Sequence, residues 1–413
     1  MNRSAVRPRI LFVTPGSPFS SASGTEQRSA LMLSALSSMG HVDVLQLRQD
    51  ECNQVTQDIQ NDQRSVLALV KGPDLTLSRY QPKAALTHKI ELALGCKMSD
   101  YQLIVGRYIW PVCQLAIPKT VPVIADLDDF RFRYSAESPW SLGSAKERSV
   151  KAFTHRLARR QLKRFDGAFM VSAQDQHETT RLPSAFLPNV PFSTRIDQTP
   201  VPNSKNILFV GSLWYQPNAD GVDWFLRHVW PQVRALEPEA TLTLAGAASP
   251  SARARWETQA GVSAPGFVDD LADTYQRANL VVVPIQSGGG TNIKVLEAMA
   301  HARPCLVSGF VATAFDGLLT GNKEMLVARN AKEFSAKAVN ALSLRADLQR
   351  VADAGHLAIG QYFTHDLFSS RVTNFAQRIS MKSATKMADT EPPSIALKPN
   401  DQPVIDRSCP CTR

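Results

Sequence analysis

The chain has 413 residues, of which 44% are hydrophobic and 20% are charged, and this composition predicts a soluble globular protein with two α/β domains. It has no run of about eighteen apolar residues, and the first apolar run, residues 9–14, is too short for a signal peptide, so we expect a cytoplasmic protein. The formal net charge is +9. Four cysteines are scattered without the spacing of metal ligands and Cys409 and Cys411 form a terminal Cys-Pro-Cys, so we expect free thiols and no metal site.

The first elements predict a strand, a loop and a helix, followed by a second strand. Residues 9–14 are apolar, residues 15–24 are rich in Pro, Gly and Ser, and residues 25–39 have helical periodicity. The loop after the first strand of an open α/β sheet lies at the ligand-binding edge. A plain loop with a capping threonine is the alternative to an anion site there. The candidate residues of that site are Gly24, Thr25 and Arg28.

The remainder of the N-terminal part predicts further strands and a basic helix. Strands are expected at residues 65–70, 102–106, 122–125 and 167–172, with a helix at residues 83–94. The basic helix, residues 144–164, has eight Lys or Arg and one Glu between Lys146 and Arg164. It fits either a solvated helix face or peripheral contact with an anionic membrane, and no nucleic-acid motif accompanies it.

A second alternating block follows a linker at residues 193–205. Its strands are expected at residues 206–211, 241–245, 280–285 and 304–307. The sequence therefore predicts two Rossmann-like, doubly wound α/β domains that face an interdomain cleft. The expected boundaries are residues 1–195 and 205–358, then a helix at 359–381 that packs back on the N-terminal domain and a disordered tail at 382–413.

The stretch from Leu280 to Ser308 has the most informative chemistry. A strand leads into a glycine-rich loop, and a helix begins directly after it. Exposed backbone amides and the helix dipole favour a phosphate there, Lys294 adds a full charge, and Glu297 is placed to accept hydrogen bonds from a ribose. A glycine turn with a surface Lys–Glu pair is the alternative. The loop residues are Gly288, Gly289, Gly290 and Thr291.

This stretch resembles the donor-site signature of family 4 (group 1) retaining glycosyltransferases, in the bacterial subgroup whose glycine-rich loop precedes Lys-Val-Leu-Glu-Ala-Met-Ala. The strand ending at Gly211 and Ser212 resembles the first C-domain strand of that subgroup. The segment with Phe267 and Val268 resembles the one that lines the nucleobase. Residues 187–190 resemble the end of the N-terminal domain, and Asp128 with Asp129 resembles an acidic turn above the cleft.

The resemblance implies the GT-B fold and a definite reaction. The C-terminal domain would bind a nucleotide-diphosphate sugar, and the N-terminal domain a glycan or lipid-linked acceptor. Transfer to the acceptor hydroxyl would retain the anomeric configuration and serve surface polysaccharide or glycan assembly. No cofactor or metal is implied. Lys294 would act on the diphosphate, while Asp128 and Asp129 would orient the acceptor hydroxyl, or else form an ordinary turn.

The sequence departs from this family at two points. Many members have a glutamate eight residues before the one that matches Glu297, where this chain has Gly289. Many also have an Arg and a Lys soon after the first C-domain strand, whereas Gly211 to Asp220 contains no basic residue. We therefore expect Lys294 to supply the charge first of all, with Arg28 reaching from the other domain, and then Arg107, as further candidates. Two alternatives stay open: a nucleotide-sugar epimerase, and a catalytically inactive GT-B partner protein.

Overall fold

The computed structural model describes residues 7–20, 24–50, 54–60, 63–71, 80–128, 133–134, 145–172, 175–176, 182–192 and 196–388. Within them, two sheets of mostly parallel strands confirm the predicted pair of Rossmann-like domains. None of the helices in these ranges is both long enough and apolar enough to cross a membrane. Asp129 and the cysteines near the C-terminus lie outside the described residues.

The N-terminal domain contains an eight-stranded sheet in the order β3-β4-β2-β1-β5-β6-β8-β9. Its strands, together with the short β7 outside the sheet, are β1 (Arg9–Thr14), β2 (His41–Asp50), β3 (Gln54–Gln60), β4 (Gln63–Lys71), β5 (Leu103–Arg107), β6 (Val123–Leu127), β7 (Arg133–Tyr134), β8 (Gly167–Met170) and β9 (Ser184–Phe186). The central strands are apolar and buried because helices cover both faces of the sheet. Only β3 and β4 pair antiparallel, as a hairpin at one edge.

In the part of the domain that the structure describes, the helices beside this sheet are α1 (Gly24–Met39), α2 (Ala84–Leu94), α3 (Ile109–Cys113) and α4 (Ala145–Gln161). Short 3₁₀ turns occupy Met98–Asp100 and Leu162–Arg164. α4 is the predicted basic helix. The strand β3 was not expected from the sequence, because its Gln-rich composition lacks an apolar face, which an edge strand can afford.

The C-terminal domain has a six-stranded parallel sheet in the order β12-β11-β10-β13-β15-β16. Its strands, with the short β14, are β10 (Asn206–Val210), β11 (Thr241–Ala245), β12 (Val262–Gly266), β13 (Leu280–Val283), β14 (Ser287–Gly288), β15 (Cys305–Ser308) and β16 (Leu326–Ala328). Its helices are α5 (Gln216–His228), α6 (Trp230–Leu236), α7 (Pro250–Glu257), α8 (Leu271–Gln276), α9 (Ile293–Ala300), α10 (Gly309–Ala312), α11 (Ala331–Ser343) and α12 (Arg345–Tyr362), with a 3₁₀ turn at Thr313–Phe315.

The last helix, α13 (His365–Ala388), returns to the N-terminal domain and packs along α1. Phe375 of α13 lies edge-on to Phe169 of β8, with ring centroids 5.0 Å apart. The predicted boundary of the tail was wrong, because residues 382–388 continue this helix. The rest of the expected tail, residues 389–413, lies outside the described residues.

Candidate functional site

The glycine-rich loop meets the N-terminal domain at the cleft. β14, which contains Gly288, pairs antiparallel with β7 of the other domain. Gly290 has φ +67°, and a Cβ on it would lie 2.7 Å from the backbone oxygen of Asp128. Only glycine combines this backbone conformation with so close an approach. The loop sequence therefore brings the backbone of the C-terminal domain against the acidic turn of the N-terminal domain.

Lys294 lies under this loop, in the first turn of α9. The residue is 9% exposed, and its Nζ donates a hydrogen bond to Asn218 Oδ1 at 3.0 Å. A Cβ on Gly211 would lie 2.9 Å from Lys294 Cε, so the loop after β10 and the lysine are in contact. Burial lowers the pKa of Lys294 to about 8. Among the described residues no carboxylate forms an ion pair with it, so the cleft contains a buried cation without a counter-ion.

Glu297, one turn further along α9, is also buried, at 5% exposure. Its Oε1 accepts a hydrogen bond from the backbone amide of Phe192, just before the predicted linker. Burial raises the pKa of Glu297 to about 7, and the Phe192 hydrogen bond opposes that rise only in part. The structure thus excludes the exposed Lys–Glu surface pair that the sequence left open. It also shows one carboxylate oxygen bonded to the protein rather than directed to a ligand.

Arg28 does not reach across the cleft, and that expectation is wrong. Its Nε donates a hydrogen bond to Asp126 Oδ2 at 2.9 Å, and its Nη2 donates one to Asp126 Oδ1 at 2.6 Å. Its Nη1 donates to Leu187 O and Asn189 Oδ1. The guanidinium also lies over the ring of Phe368 in α13, 5.4 Å from its centroid. Because these partners occupy the side chain, which is 1% exposed, Arg28 belongs to the framework of the N-terminal domain.

Asp128 is the acidic residue that the structure places at the cleft. Its Oδ2 accepts a hydrogen bond from Arg107 Nη2 at 2.7 Å, and its Oδ1 accepts one from Asn189 Nδ2 at 3.1 Å. Burial by itself would raise the pKa of Asp128, but Arg28 and Arg107 hold it below the usual range. The side chain is 14% exposed, so an ionised carboxylate reaches the cleft. Its predicted companion, Asp129, lies outside the described residues.

The start of α1 forms the opposite wall of the cleft. A Cβ on Gly24 would lie 3.5 Å from Ile293 Cγ2, at the start of α9. Ile293 has the spacing of a core residue in α9, yet it is half-buried and faces the other domain. Thr25 O accepts a hydrogen bond from Arg107 Nη1. The two candidate anion loops are therefore neighbours across the cleft.

The remaining predicted donor residues lie at the rim of the C-terminal domain. Gly211 and Ser212 are half-buried beside Lys294, and Val268 is half-buried after β12. Phe267 is 75% exposed, so its ring does not pack in the core of the domain. Nucleotide binding by these residues stays a prediction.

Three residues that had no role assigned from the sequence are hydrogen-bonded to the site residues. Asn218 bonds Lys294, Asn189 bonds Asp128, and Phe192 bonds Glu297. Asn218 follows a proline in the first turn of α5, a pattern that a capped helix start also produces. Asn189 and Phe192 lie near the end of the N-terminal domain, where the sequence has no charge or periodicity to single them out.

Part of the chain is similar in sequence to known proteins. Residues 204–343 match the family model of glycosyl transferases group 1. A curated relative, an uncharacterized 44.6 kDa protein in the cps region of Klebsiella pneumoniae, is 27% identical over 140 residues. That match covers 32% of this chain and 35% of the relative, about a third of its length.

Solved structures resemble the chain over nearly its whole length. Sucrose-phosphate synthase from Thermosynechococcus elongatus superposes with a TM-score of 0.65 at 16% identity and covers 93% of this chain and 100% of that one. A trehalose-6-phosphate structure from E. coli bound with UDP-2-fluoro glucose gives 0.59 at 12% identity, with 91% and 98% coverage. HepE of Anabaena in complex with UDP gives 0.57 at 13% identity, with 91% and 100% coverage.

At these identities the solved structures establish the fold alone, and the family model covers the C-terminal domain. The two findings complement each other, since the domain that contains Lys294 and Glu297 is the one that the family model matches. The chain has the GT-B fold, and residues 204–343, within its C-terminal domain, match the family model of glycosyl transferases group 1.

Proposed function

We propose that the chain transfers a sugar from a nucleotide-diphosphate donor to an acceptor hydroxyl, with retention of the anomeric configuration. One observation carries the proposal: Lys294 and Glu297 are both buried at the cleft, and neither has an opposite charge as a partner among the described residues. Strongly perturbed groups in a cleft are characteristic of functional sites. A diphosphate would neutralise the lysine, and ribose hydroxyls would donate to the glutamate.

The donor would lie along the start of α9. Backbone amides of Gly288 to Thr291 would face the diphosphate together with Lys294, and the loop with Gly211 and Ser212 would close over it. Glu297 Oε1 is held by Phe192, so the second carboxylate oxygen would receive the ribose hydroxyls. Phe267 and Val268 would border the base. We propose that these groups hold the diphosphate without a metal, and HepE of Anabaena, similar in fold, is solved with UDP.

The acceptor would bind against the N-terminal domain. Asp128, ionised and fixed by Arg107 and Asn189, is placed to accept a hydrogen bond from the attacking hydroxyl. Attack on the same face from which the diphosphate departs would retain the configuration, and the leaving diphosphate oxygen would take the hydroxyl proton. Amides and an ammonium fixed around the departing diphosphate would stabilise the developing charge, at about 3 kcal/mol per donor.

The acceptor that we propose is a growing glycan, free or lipid-linked. A relative encoded in the cps region and the exposed basic side chains of α4 support this choice. Arg156, Arg160 and Lys163 of that helix and its 3₁₀ extension are solvent-exposed, and Phe153 is 55% exposed. Such a surface would hold the protein against an anionic membrane that carries the acceptor.

The decisive experiment is a thermal-shift panel of UDP, GDP, ADP and their sugar conjugates on the full chain, with and without EDTA. A ligand at about 100 times its Kd should add about 2.7 kcal/mol of stability. Lys294→Ala and Glu297→Ala should fold and lose the shift. Lys332→Ala, at an exposed lysine of α11, is the matched control and should keep it. Absence of any shift in the wild type would favour the inactive partner protein, and a shift abolished by EDTA would overturn metal-free binding.

A further inference from the structure

Asn189 is hydrogen-bonded to both walls of the cleft. Its Nδ2 donates to Asp128 Oδ1 at 3.1 Å and to Thr291 O at 3.4 Å, and its backbone amide donates to Thr291 Oγ1 at 3.4 Å. Its Oδ1 accepts a hydrogen bond from Arg28 Nη1 at 2.9 Å. The amide side chain therefore has partners in the N-terminal domain and in the glycine-rich loop of the C-terminal domain.

On the N-terminal side these partners belong to a buried network of charges. Arg28 is bonded to Asp126, Asp126 lies 3.2 Å from Arg107 Nε, and Arg107 is bonded to Asp128. The network has two positive and two negative groups, and each is held by at least one other. Asn189 is thus fixed to this buried network, because its Oδ1 accepts a hydrogen bond from an arginine that makes several further hydrogen bonds.

On the C-terminal side the partner is Thr291, which is 7% exposed. Thr291 joins Gly290, which lies against the backbone of Asp128, to the helix that contains Lys294. A displacement of Thr291 would therefore move the start of α9 relative to Asp128. No other described side chain donates hydrogen bonds to both Asp128 and the glycine-rich loop.

We propose that Asn189 is a positioning residue for glycosyl transfer, which fixes the diphosphate-binding loop at a set distance from Asp128. The inference rests on the proposed function, because that distance matters only if donor and acceptor meet there. A displacement of about 1 Å at a reacting pair costs about a hundredfold in rate. Loss of Asn189 should consequently lower kcat while nucleotide affinity, which depends on groups within the C-terminal domain, is kept.

Two variants separate this role from a general loss of stability. Asn189→Asp keeps an oxygen for Arg28, but it removes both Nδ2 donors and adds a negative charge beside Asp128. Thr291→Val removes Thr291 Oγ1, the acceptor of the Asn189 backbone amide, and keeps Thr291 O, the acceptor of Asn189 Nδ2. It leaves the buried arginines paired, so it serves if the first variant fails to fold. Thr291→Ser keeps that hydroxyl and tests whether it restores turnover, and Lys332→Ala, at the exposed lysine of α11, is the control.

The measurements are nucleotide Kd by calorimetry, nucleotide release from the sugar conjugate that gives the largest thermal shift, and hydrogen exchange of residues 287–292 with bound nucleotide. We expect Asn189→Asp and Thr291→Val to keep Kd within about threefold, to lose about tenfold or more in kcat, and to exchange faster in the loop. Lys332→Ala should behave as wild type, and Thr291→Ser should lose less kcat than Thr291→Val.

Three outcomes would overturn the proposal. If kcat and affinity fall together, Asn189 is merely structural. If turnover and loop exchange are unchanged in both variants, the loop is positioned by something else. In either case wild-type nucleotide binding leaves the proposed function intact, whereas a wild type that binds no nucleotide diphosphate fails both proposals together.

Discussion

Lys294 passes directly beneath Gly211: a Cβ on that glycine would lie 2.9 Å from Lys294 Cε and 3.5 Å from its Nζ. The contact joins the loop after β10 to the first turn of α9, so the absence of a side chain at residue 211 decides where the ammonium lies. Asn218 completes the arrangement, because it bonds the ammonium at 3.0 Å and its Nδ2 donates to Ser212 O.

Gly211→Ala should therefore weaken nucleotide binding, and it should also cost stability because Gly211 has φ +159°, a conformation that residues with a side chain rarely adopt. The methyl group meets the end of a flexible side chain, which moves aside cheaply and takes the ammonium away from the diphosphate. A lost charge-assisted hydrogen bond is worth about 1.5–3 kcal/mol, or about tenfold or more in Kd, measurable by calorimetry with the nucleotide that gives the largest thermal shift.

The matched control is Gly360→Ala in α12, where an added Cβ meets nothing within 4 Å. Alanine is favoured over glycine in a helix by about 1 kcal/mol, so this variant should be slightly more stable and should bind nucleotide as wild type. Equal affinity in Gly211→Ala would show that the ammonium does not contact the ligand from its observed position.

Glu297 makes the stability of the protein depend on pH in a definite direction. Its pKa is about 7 in the folded chain against 4.5 as the ordinary value. Between these values the unfolded chain has already released the proton that the folded chain keeps, so the free energy of unfolding falls as pH rises toward 7. At about 1.4 kcal/mol per pKa unit, the loss approaches about 3 kcal/mol above pH 7.

Glu297→Gln, which has no charge to bury, should lack this decline. In urea unfolding, the free energy of unfolding of Glu297→Gln relative to wild type should be higher at pH 8 than at pH 5 by about 2.5 kcal/mol. Glu239→Gln, at a side chain that is 82% exposed, is the control and should follow wild type at both values. A constant difference between Glu297→Gln and wild type at both pH values would mean that the carboxylate is ionised throughout.

Arg28 should contribute to the stability of the N-terminal domain and not to nucleotide binding. Arg28→Met leaves Asp126 without its closest partner and leaves the carbonyl of Leu187 without a donor. Breaking a buried pair from one side costs about 3–5 kcal/mol, so the free energy of unfolding should fall by that amount. In the fraction that folds, nucleotide Kd should stay within about threefold of wild type.

Lys294→Ala should show the opposite pattern, with a small change in stability and a large loss of affinity. A buried lysine without a counter-ion contributes no favourable pairing, so its removal costs little. If Arg28→Met were as stable as wild type and unable to bind nucleotide, the arginine would reach the donor after all, as the sequence suggested.

Lys294 and Arg28 also show what the sequence could and could not predict. The strand, glycine loop and helix at residues 280–300 are continuous in the chain, so local pattern and electrostatics located the candidate site with its lysine and glutamate. Arg28 and Asp126 are 98 residues apart, and Phe192 and Glu297 are 105 apart. These hydrogen-bond partners depend on how the two sheets and the cleft assemble. The hydrophobic periodicity of one segment contains no information about that assembly.

The assembly of the sheets and domains also explains why the sequence did not reveal β3 or the environment of Ile293. The hairpin strand β3 is polar because it pairs on one side only, so no apolar period reveals it. Ile293 has the spacing of a core residue in α9, yet it faces Gly24 because another domain covers that side of the helix. In a two-domain protein an apolar stripe indicates burial without indicating which domain provides the cover.

The contact between α13 and the first domain leads to the last prediction. Phe375 is 3% exposed, lies edge-on to Phe169, and sits where a Cβ on Gly167 would be 2.9 Å from its Cζ. Truncation of a buried phenylalanine costs about 3–5 kcal/mol. Phe375→Ala should therefore destabilise the N-terminal domain, although the residue follows the whole C-terminal domain in the chain.

Hydrogen exchange resolves which domain loses stability. In Phe375→Ala the amides of β8 should exchange faster, while those of β10 should change little, because α13 packs on the sheet that contains β8. Met381→Ala, on the same helix at 71% exposure, is the control and should leave both strands unchanged. Faster exchange confined to β10 would show that α13 stabilises the C-terminal domain in solution, and the packing along α1 would then not describe the stable fold.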